Sequence, residues 1–364
     1  RGLASLFFRQ KEEEMEKLTR KVVFAVTLAV AIGWAFAQPG AAQQFRNLKV
    51  LTDTPPNQVL ATMQFFEGSL GVGCDFCHAA DRTVDTPKKE TARAMIQMVR
   101  DINKNHFKGE TEVTCYTCHR GQTGPPENPA LANAEFRPWE PDSRNGLGNP
   151  PPVPGPPPAQ LIGKWIEVSG GMSKLNGITS SVAKGTFTNS VGVTQPYESV
   201  TKGDSRLLVL GNANIGRTGN TGWFRAGNGA PRDIRNYEMN QNRFRSTLYL
   251  AQNAKNFTRL ESRLDEIGNR PVYQVRGVSP DGVPVRMWFG RDSGNLLRVL
   301  WFTPNAIGQN MERVDYSDFG EVDGIRVARR AVVRTPLSYQ TVRLESIQFN
   351  VPVEDSRFTR PAAR

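Results

Sequence analysis

The chain has 364 residues, with 46 Lys and Arg against 35 Asp and Glu and a net charge of +11, a length that suggests about two domains plus targeting or linker sequence. Hydrophobic residues at 38% and aromatics at 9% are enough for packed cores and exclude wholesale disorder, and the presence of only one long apolar run excludes a polytopic membrane protein. With four Cys and three His in the whole chain, any chemistry built on them can be enumerated.

Residues 22–37, VVFAVTLAVAIGWAFA, follow Lys17, Arg20 and Lys21 and run into a small-residue stretch around Ala35, Ala37, Ala41 and Ala42. Basic residues, an apolar run and an A-x-A-like cleavage region in that order make residues 1–43 a signal peptide or N-terminal anchor. The apolar run is short beside the ~20 residues that span a bilayer, which favours cleavage and an extracytoplasmic product. Met15 lies just ahead of the basic cluster, so residues 1–14 are expected to be a start-site artefact. No Cys is near this segment, so lipid attachment through an N-terminal cysteine is not expected.

Residues 44–144 contain every Cys and His and read as helices and loops. Thr54-Pro55-Pro56 is expected to open a helix with Val59, Met63, Phe66 and Leu70 on one face, and Gly68 to Gly73 then turn the chain. Thr86-Pro87 opens a second helix, with Thr as N-cap and Pro at the first helical position, and Ala92, Met95, Val99 and Ile102 on one face.

Each helix runs into a C-x-x-C-H segment: Cys74-Asp75-Phe76-Cys77-His78 and, 41 residues on, Cys115-Tyr116-Thr117-Cys118-His119. This is the attachment signature of c-type haem. Two thiols at this spacing bond the two vinyl groups of one porphyrin, while the following His reaches the iron. Disulfides would suit an exported chain but leave the His after each pair unexplained, and a zinc site would gather both pairs in one compact module. Two six-coordinate haems need four axial ligands, and the chain offers only His78, His119 and His106. At least one distal ligand is therefore another residue, and Met is the c-type choice, which raises the potential. Met63, Met95 and Met98 are the candidates, although a Met on an apolar helical face is ordinarily core.

Residues 145–160, which include GLGNPPPVPGPPPAQ, are dominated by Pro and Gly and form a stiff extended linker. Residues 161–364 then show short Val-, Ile-, Phe-, Tyr- and Trp-rich runs at 271–278, 283–289, 295–302 and 325–333. Asp281-Gly282 and Ser293-Gly294-Asn295 between them are hairpin turns. The fold class is therefore α + β in two domains, a mainly helical dihaem domain and then a mainly antiparallel β domain. The first part, residues 44–158, carries 12 basic and 13 acidic groups, whereas residues 159–364 carry 28 and 18. The excess positive charge belongs to the β domain.

MQFFEGSLGVGCDFCH (63–78), TARAMIQMVRDINKNH (91–106) and VTCYTCHRG (113–121) resemble the haem-binding unit of the photosynthetic reaction-centre cytochrome c subunit family, over about residues 46–126. The resemblance implies that Met63 is the distal ligand of the haem held by Cys74, Cys77 and His78. It implies likewise that Met95 serves the haem held by Cys115, Cys118 and His119, with Met98 as packing. The family's well-known members carry four haems and a lipid-anchoring Cys, whereas this chain has two C-x-x-C-H motifs and no such Cys, and His106 has no counterpart position. In the β domain, RPVYQVRG, WFGRDSGNLLRVLWF, VDYSDFGEVDGIRVARR and TVRLESIQFNVPVEDSRF resemble the half-barrel of outer-membrane lipoprotein-sorting (LolA-like) proteins.

The expected function is that of an exported, periplasmic dihaem c-type cytochrome, an electron-transfer protein rather than an enzyme. The expected redox partner is a membrane-bound reaction centre or another envelope electron-transfer complex, and the basic β domain could face an anionic envelope or membrane surface. Arg93 and Arg120 are candidate propionate contacts. Two other readings are a dihaem peroxidase or haem-based sensor, kept open by the spare His106, and an apolar-ligand-binding β domain with accessory haems. Export and the lack of an aromatic-basic binding motif argue against nucleic acid as a partner.

Overall fold

The computed structural model describes residues 45–125 and 153–362, apart from Arg235, Asn269, Pro336 and Leu337. The targeting segment and residues 145–152 of the expected linker lie outside the described residues. Two compact units are distinguished, Arg1–Pro56 and Asn57–Arg364. In the first, Leu51 is buried and its carbonyl accepts from the Thr54 N–H at 3.0 Å.

In the second unit the helices come first. After a 3-10 turn at Pro56–Gln58, α1 spans Val59–Leu70 and ends at Gly71, whose φ of 66° supplies the left-handed cap. The helix thus begins later than Thr54-Pro55-Pro56 suggests, because the two prolines shape a tight turn before any i to i+4 bond can form. Helix α2 spans Pro87–His106 and opens as expected: Thr86 is the N-cap, accepting from the Lys89 N–H at 3.2 Å, a cap of about 1 kcal/mol. A one-turn helix, α3, covers Cys115–His119.

The rest of the unit is one antiparallel sheet of 13 strands in the order 6-5-4-3-2-1-13-12-11-10-9-8-7. The strands are β1 (Ser180–Asn189), β2 (Thr194–Lys202), β3 (Ser205–Leu210), β4 (Ala213–Thr218), β5 (Thr221–Ala226), β6 (Arg232–Asp233), β7 (Thr258–Ile267), β8 (Arg270–Val278), β9 (Pro284–Gly290), β10 (Leu296–Asn305), β11 (Gly308–Val322), β12 (Ile325–Arg334) and β13 (Tyr339–Phe349). Every runs-and-turns expectation for residues 271–333 matches a strand, and Gly282 (φ 79°) and Gly294 (φ 68°) take the positive φ that their turns require. The sheet stays open, with β6 and β7 at its edges.

Neighbouring strands are consecutive in sequence everywhere except at the seam where β1 pairs with β13, and the consecutive β6 and β7 lie at opposite edges. There Gly185 sits at a register shift, and a Cβ on it would lie 1.9 Å from the Arg343 carbonyl oxygen, so only glycine allows the close approach.

The sequence reading placed no helices in the β domain, and four are present. Two precede the sheet, α4 (Pro158–Val168) and α5 (Met172–Asn176), and two connect β6 to β7, α6 (Asn236–Phe244) and α7 (Thr247–Asn253). They cover one sheet face and complete the main core. Leu161, Ile162 and Trp165 of α4, Phe244 of α6 and Leu250 of α7 pack with Val275, Met287, Phe289, Val299 and Trp301 of the strands. Of the expected extended linker, residues 158–160 belong to α4 instead, because Pro is tolerated in a helix's first turn, and the approach before them lies along β7: Val153 O accepts from Leu264 N at 2.8 Å and Pro154 bridges to Arg263.

The helical segment and the sheet meet at the β10–β11 turn, Asn305 to Gly308. Asn310 Nδ2 donates to Ala61 O at 3.0 Å, and Thr62 Oγ1 accepts from Ala306 N at 3.2 Å. Phe65 closes over Gly308, where a Cβ would come within 2.9 Å of its ring. The fully buried stripe of α1 is accordingly Val59, Ala61, Thr62 and Ser69, while Met63, Phe66 and Leu70 are half-buried.

Candidate functional site

The two cysteine-histidine segments adjoin one another. Helix α1 leads into the first and α3 is the second, and the two are fastened by Gly121 N donating to Ser69 O at 2.9 Å. Gly71, three residues before Cys74, faces Gly121, two residues after His119; a Cβ at Gly71 would lie 2.2 Å from Gly121 O. Gly71→Ala therefore combines a steric clash with a positive φ. It is expected to cost about 1–3 kcal/mol and to separate the two segments, read as a lowered denaturation midpoint with loss of haem incorporation.

Each segment is anchored by side chains whose role there sequence reasoning did not foresee, Thr86 being expected only as a helix cap. Asn103, buried near the end of α2, donates Nδ2 to Val113 O at 2.7 Å and accepts at Oδ1 from Val113 N at 2.9 Å and Glu112 N at 3.2 Å, clamping the strand-like approach to Cys115. Thr114 and Thr117 then form a reciprocal capping box at the start of α3. On the other segment, Thr86 Oγ1 donates to Cys77 O at 2.7 Å, so the cap of α2 also holds the first motif. Lys89 Nζ donates to Val84 O at 2.8 Å and Arg82 O at 3.1 Å, which folds the loop after His78 onto α2. The signal available in the sequence was a buried-face position occupied by Asn, but an Asn in a helix is more often solvated than structural.

Arg93 is buried and paired with Asp85, just ahead of α2, at 2.8 Å and with Glu90 in its first turn, so its charge is already engaged by carboxylates. Arg120 is exposed, in the left-handed conformation that caps α3. His106 is exposed in the last turn of α2.

The donor atoms are poised differently in the two segments. His119 Nδ1 lies 3.0 Å from Gln122 O; with the proton on Nδ1 it donates to that carbonyl, which fixes the ring and leaves the Nε2 lone pair available, the arrangement usual for metal-ligating histidines. His78 Nδ1 is buried without a partner, and burial, with the charges of Arg82 and Lys89, holds this imidazole below the usual histidine range and hence neutral. All four cysteines are free thiols. The hydrogen bond that Cys74 Sγ donates to Glu67 Oε1 at 2.8 Å raises the first thiol, and burial raises Cys77 and pushes Cys115 up to about 11.

The face of α2 differs from the expected one. Lys89, Arg93, Ile96, Val99 and Asn103 are buried, whereas Met95 is 37% and Met98 42% exposed. Phe76 and Tyr116, inside the two motifs, are also exposed. Apolar side chains open to solvent on and beside both motifs, a neutral half-buried imidazole and a histidine oriented through Nδ1 fit a flat apolar group bonded at the cysteines and ligated by the histidines. The residues present therefore suit haem.

Residues 1–139 match the family model of the photosynthetic reaction centre cytochrome C subunit. Over 94 residues the chain is 36% identical to the photosynthetic reaction center cytochrome c subunit of Thermochromatium tepidum, covering 24% of this chain and 23% of that protein. Over 82 residues it is 35% identical to cytochrome c-554 of Chloroflexus aurantiacus, covering 20% of each. The chain thus spans about a quarter or less of the length of these relatives, and the likeness to reaction-centre cytochromes is confined to its N-terminal part. Among solved structures, a DUF1329 family protein from Desulfovibrio piger aligns with 56% of this chain and 98% of its own at 11% identity and a TM-score of 0.40. A LolA superfamily protein from Nitrosomonas europaea aligns over the same shares at 12% identity and a TM-score of 0.39. Among the described residues no helix is long and apolar enough to cross a membrane.

Proposed function

We propose that this protein is an extracytoplasmic c-type cytochrome that carries single electrons on two covalently attached haems. The observation that carries this reading is the adjoining pair of C-x-x-C-H segments, fastened through Ser69, Gly71 and Gly121. Cys74, Cys77 and His78 would hold one haem, and Cys115, Cys118 and His119 the other. The bound group supplies one-electron chemistry at its iron. The chain's own residues orient the imidazoles, exclude water on the α1 and α2 sides, and place Met63 and Met95 on the helices that precede each motif.

Met63 and Met95 would complete the two ligand sets, which would favour electron transfer over chemistry at the metal. The redox partner fits the description of a reaction centre or another envelope electron-transfer complex. The basic residues of the β domain favour an acidic or anionic surface on that partner, with an association that weakens as salt is raised. The deciding experiment is a pyridine haemochrome assay with intact mass on the protein matured with haem. Two haems per chain are expected, falling to one in Cys115→Ala/Cys118→Ala; one haem or none in the unmodified protein overturns the reading.

A further inference from the structure

The helix-covered face of β3 and β4 buries more cationic charge than its carboxylates offset. Arg206 and Arg217 stand directly opposite one another across the strand pair, and both are buried. Arg217 is well provided for: its Nε donates to Asn242 Oδ1 at 3.2 Å, and its Nη1 to Gly219 O at 2.8 Å and Asp204 Oδ1 at 3.1 Å. Arg206 is not. Its Nη1 donates to the Asn242 backbone carbonyl, its Nε has no partner, and among the described residues it forms no ion pair with a carboxylate.

Arg245, just beyond α6, follows Asn242 by three residues, and its backbone carbonyl accepts from the Tyr316 hydroxyl at 3.5 Å. Arg245 Nη2 reaches the buried Glu312 Oε2 at 3.4 Å, but that carboxylate also accepts from Gln241 Nε2 at 2.9 Å. Asp204, the only other acid in the group, has a side chain 74% exposed at the rim. A guanidinium does not shed its proton in a protein, and a buried cation without a counter-charge is costly. Three buried donors are left without partners in this group, Arg206 Nε, Arg245 Nε and Asn242 Nδ2.

We propose that Arg206, Arg245 and Asn242 form a binding site for a small oxyanion, a carboxylate or phosphate group, beneath the C-terminal end of α6. Two guanidinium Nε–H groups and one amide N–H match the acceptor oxygens of such a group, and its negative charge offsets Arg206. The exposed Asp204 and the half-buried Gly219 mark the solvent side, through which the anion enters. This site is separate from the haem motifs and independent of the cytochrome reading.

Titration of the full chain with inorganic phosphate and, separately, with acetate in a low-chloride buffer, followed by calorimetry and thermal denaturation, tests it. At least one of the two is expected to bind saturably and raise the denaturation midpoint, and whichever does so identifies the group. Binding should weaken at least tenfold in Arg206→Met, and the midpoint rise should vanish in Asn242→Asp, which places a carboxylate where the anion would sit. Absence of saturable binding by either anion, or binding unchanged in Asn242→Asp, overturns the site even should Arg206→Met fail to fold.

Discussion

Met63→Ala is expected to lower the reduction potential of one haem and leave the other unchanged. A thioether ligand stabilises the ferrous state, so its loss shifts the potential downward, by on the order of a tenth of a volt within the ~0.8 V range that axial ligation spans. The same change opens a coordination position and turns one low-spin ferric signal high-spin. Spectroelectrochemical titration with electron paramagnetic resonance reads both effects. Met63 is half-buried beside Thr62, which the β10–β11 turn holds in place, so the helix is expected to persist without the thioether. Met95→Ala should produce the same change in the second haem, and Met98→Ala should not. Met95 and Met98 have nearly equal exposure, 37% and 42%, so burial does not choose between them and the family resemblance does. A spectrum altered by Met98→Ala and untouched by Met95→Ala would reassign the ligand, and two low-spin signals surviving in Met63→Ala would remove Met63 from that role.

Trp301→Ala is expected to cost about 3–5 kcal/mol, a large part of the ~5–15 kcal/mol that holds a typical domain folded. Trp301 has no exposed surface and packs against Phe244 of α6 with ring centroids 5.7 Å apart, so its removal hollows the layer between the sheet and its covering helices. A fall of roughly 5–15 °C in melting temperature follows. Trp301→Phe is the control. The indole N–H is buried without a partner, so replacing it removes an unmet donor along with some apolar area, and the cost should be well below that of Ala. Equal losses in the two variants would show that ring volume does not govern this core.

The elements that sequence alone disclosed are those whose signal is local. C-x-x-C-H fixes its chemistry within five residues, Thr86-Pro87 fixes a helix start within two, and Asp281-Gly282 fixes a turn through the positive φ of one glycine. The α + β class followed from the change in composition after the prolines. What escaped depends on partners distant in the chain. The buried face of α2 centres on Ile96 rather than Met95 because Asn103 and Arg93 turn inward to serve a backbone segment and an ion pair. The helices α4 to α7 are short, and α6 is rich in Asn, so their apolar positions make sense only once the sheet face they cover is known. Likewise, nothing in the sequence announces that Arg206 and Arg217 are opposite one another.

The docking of the β10–β11 turn on α1 bears on how this protein could be taken apart. A Pro-rich stretch between a helical region and a sheet invites severing the chain there to obtain a miniature cytochrome. Yet Ala61, Thr62 and Phe65 meet residues 306–310, which lie far beyond that cut. The fragment would keep both attachment motifs and lose the surface against which the first of its helices is seated. The segment with the two C-x-x-C-H motifs is thus not a portable cassette: any attempt to graft it elsewhere must include the sheet.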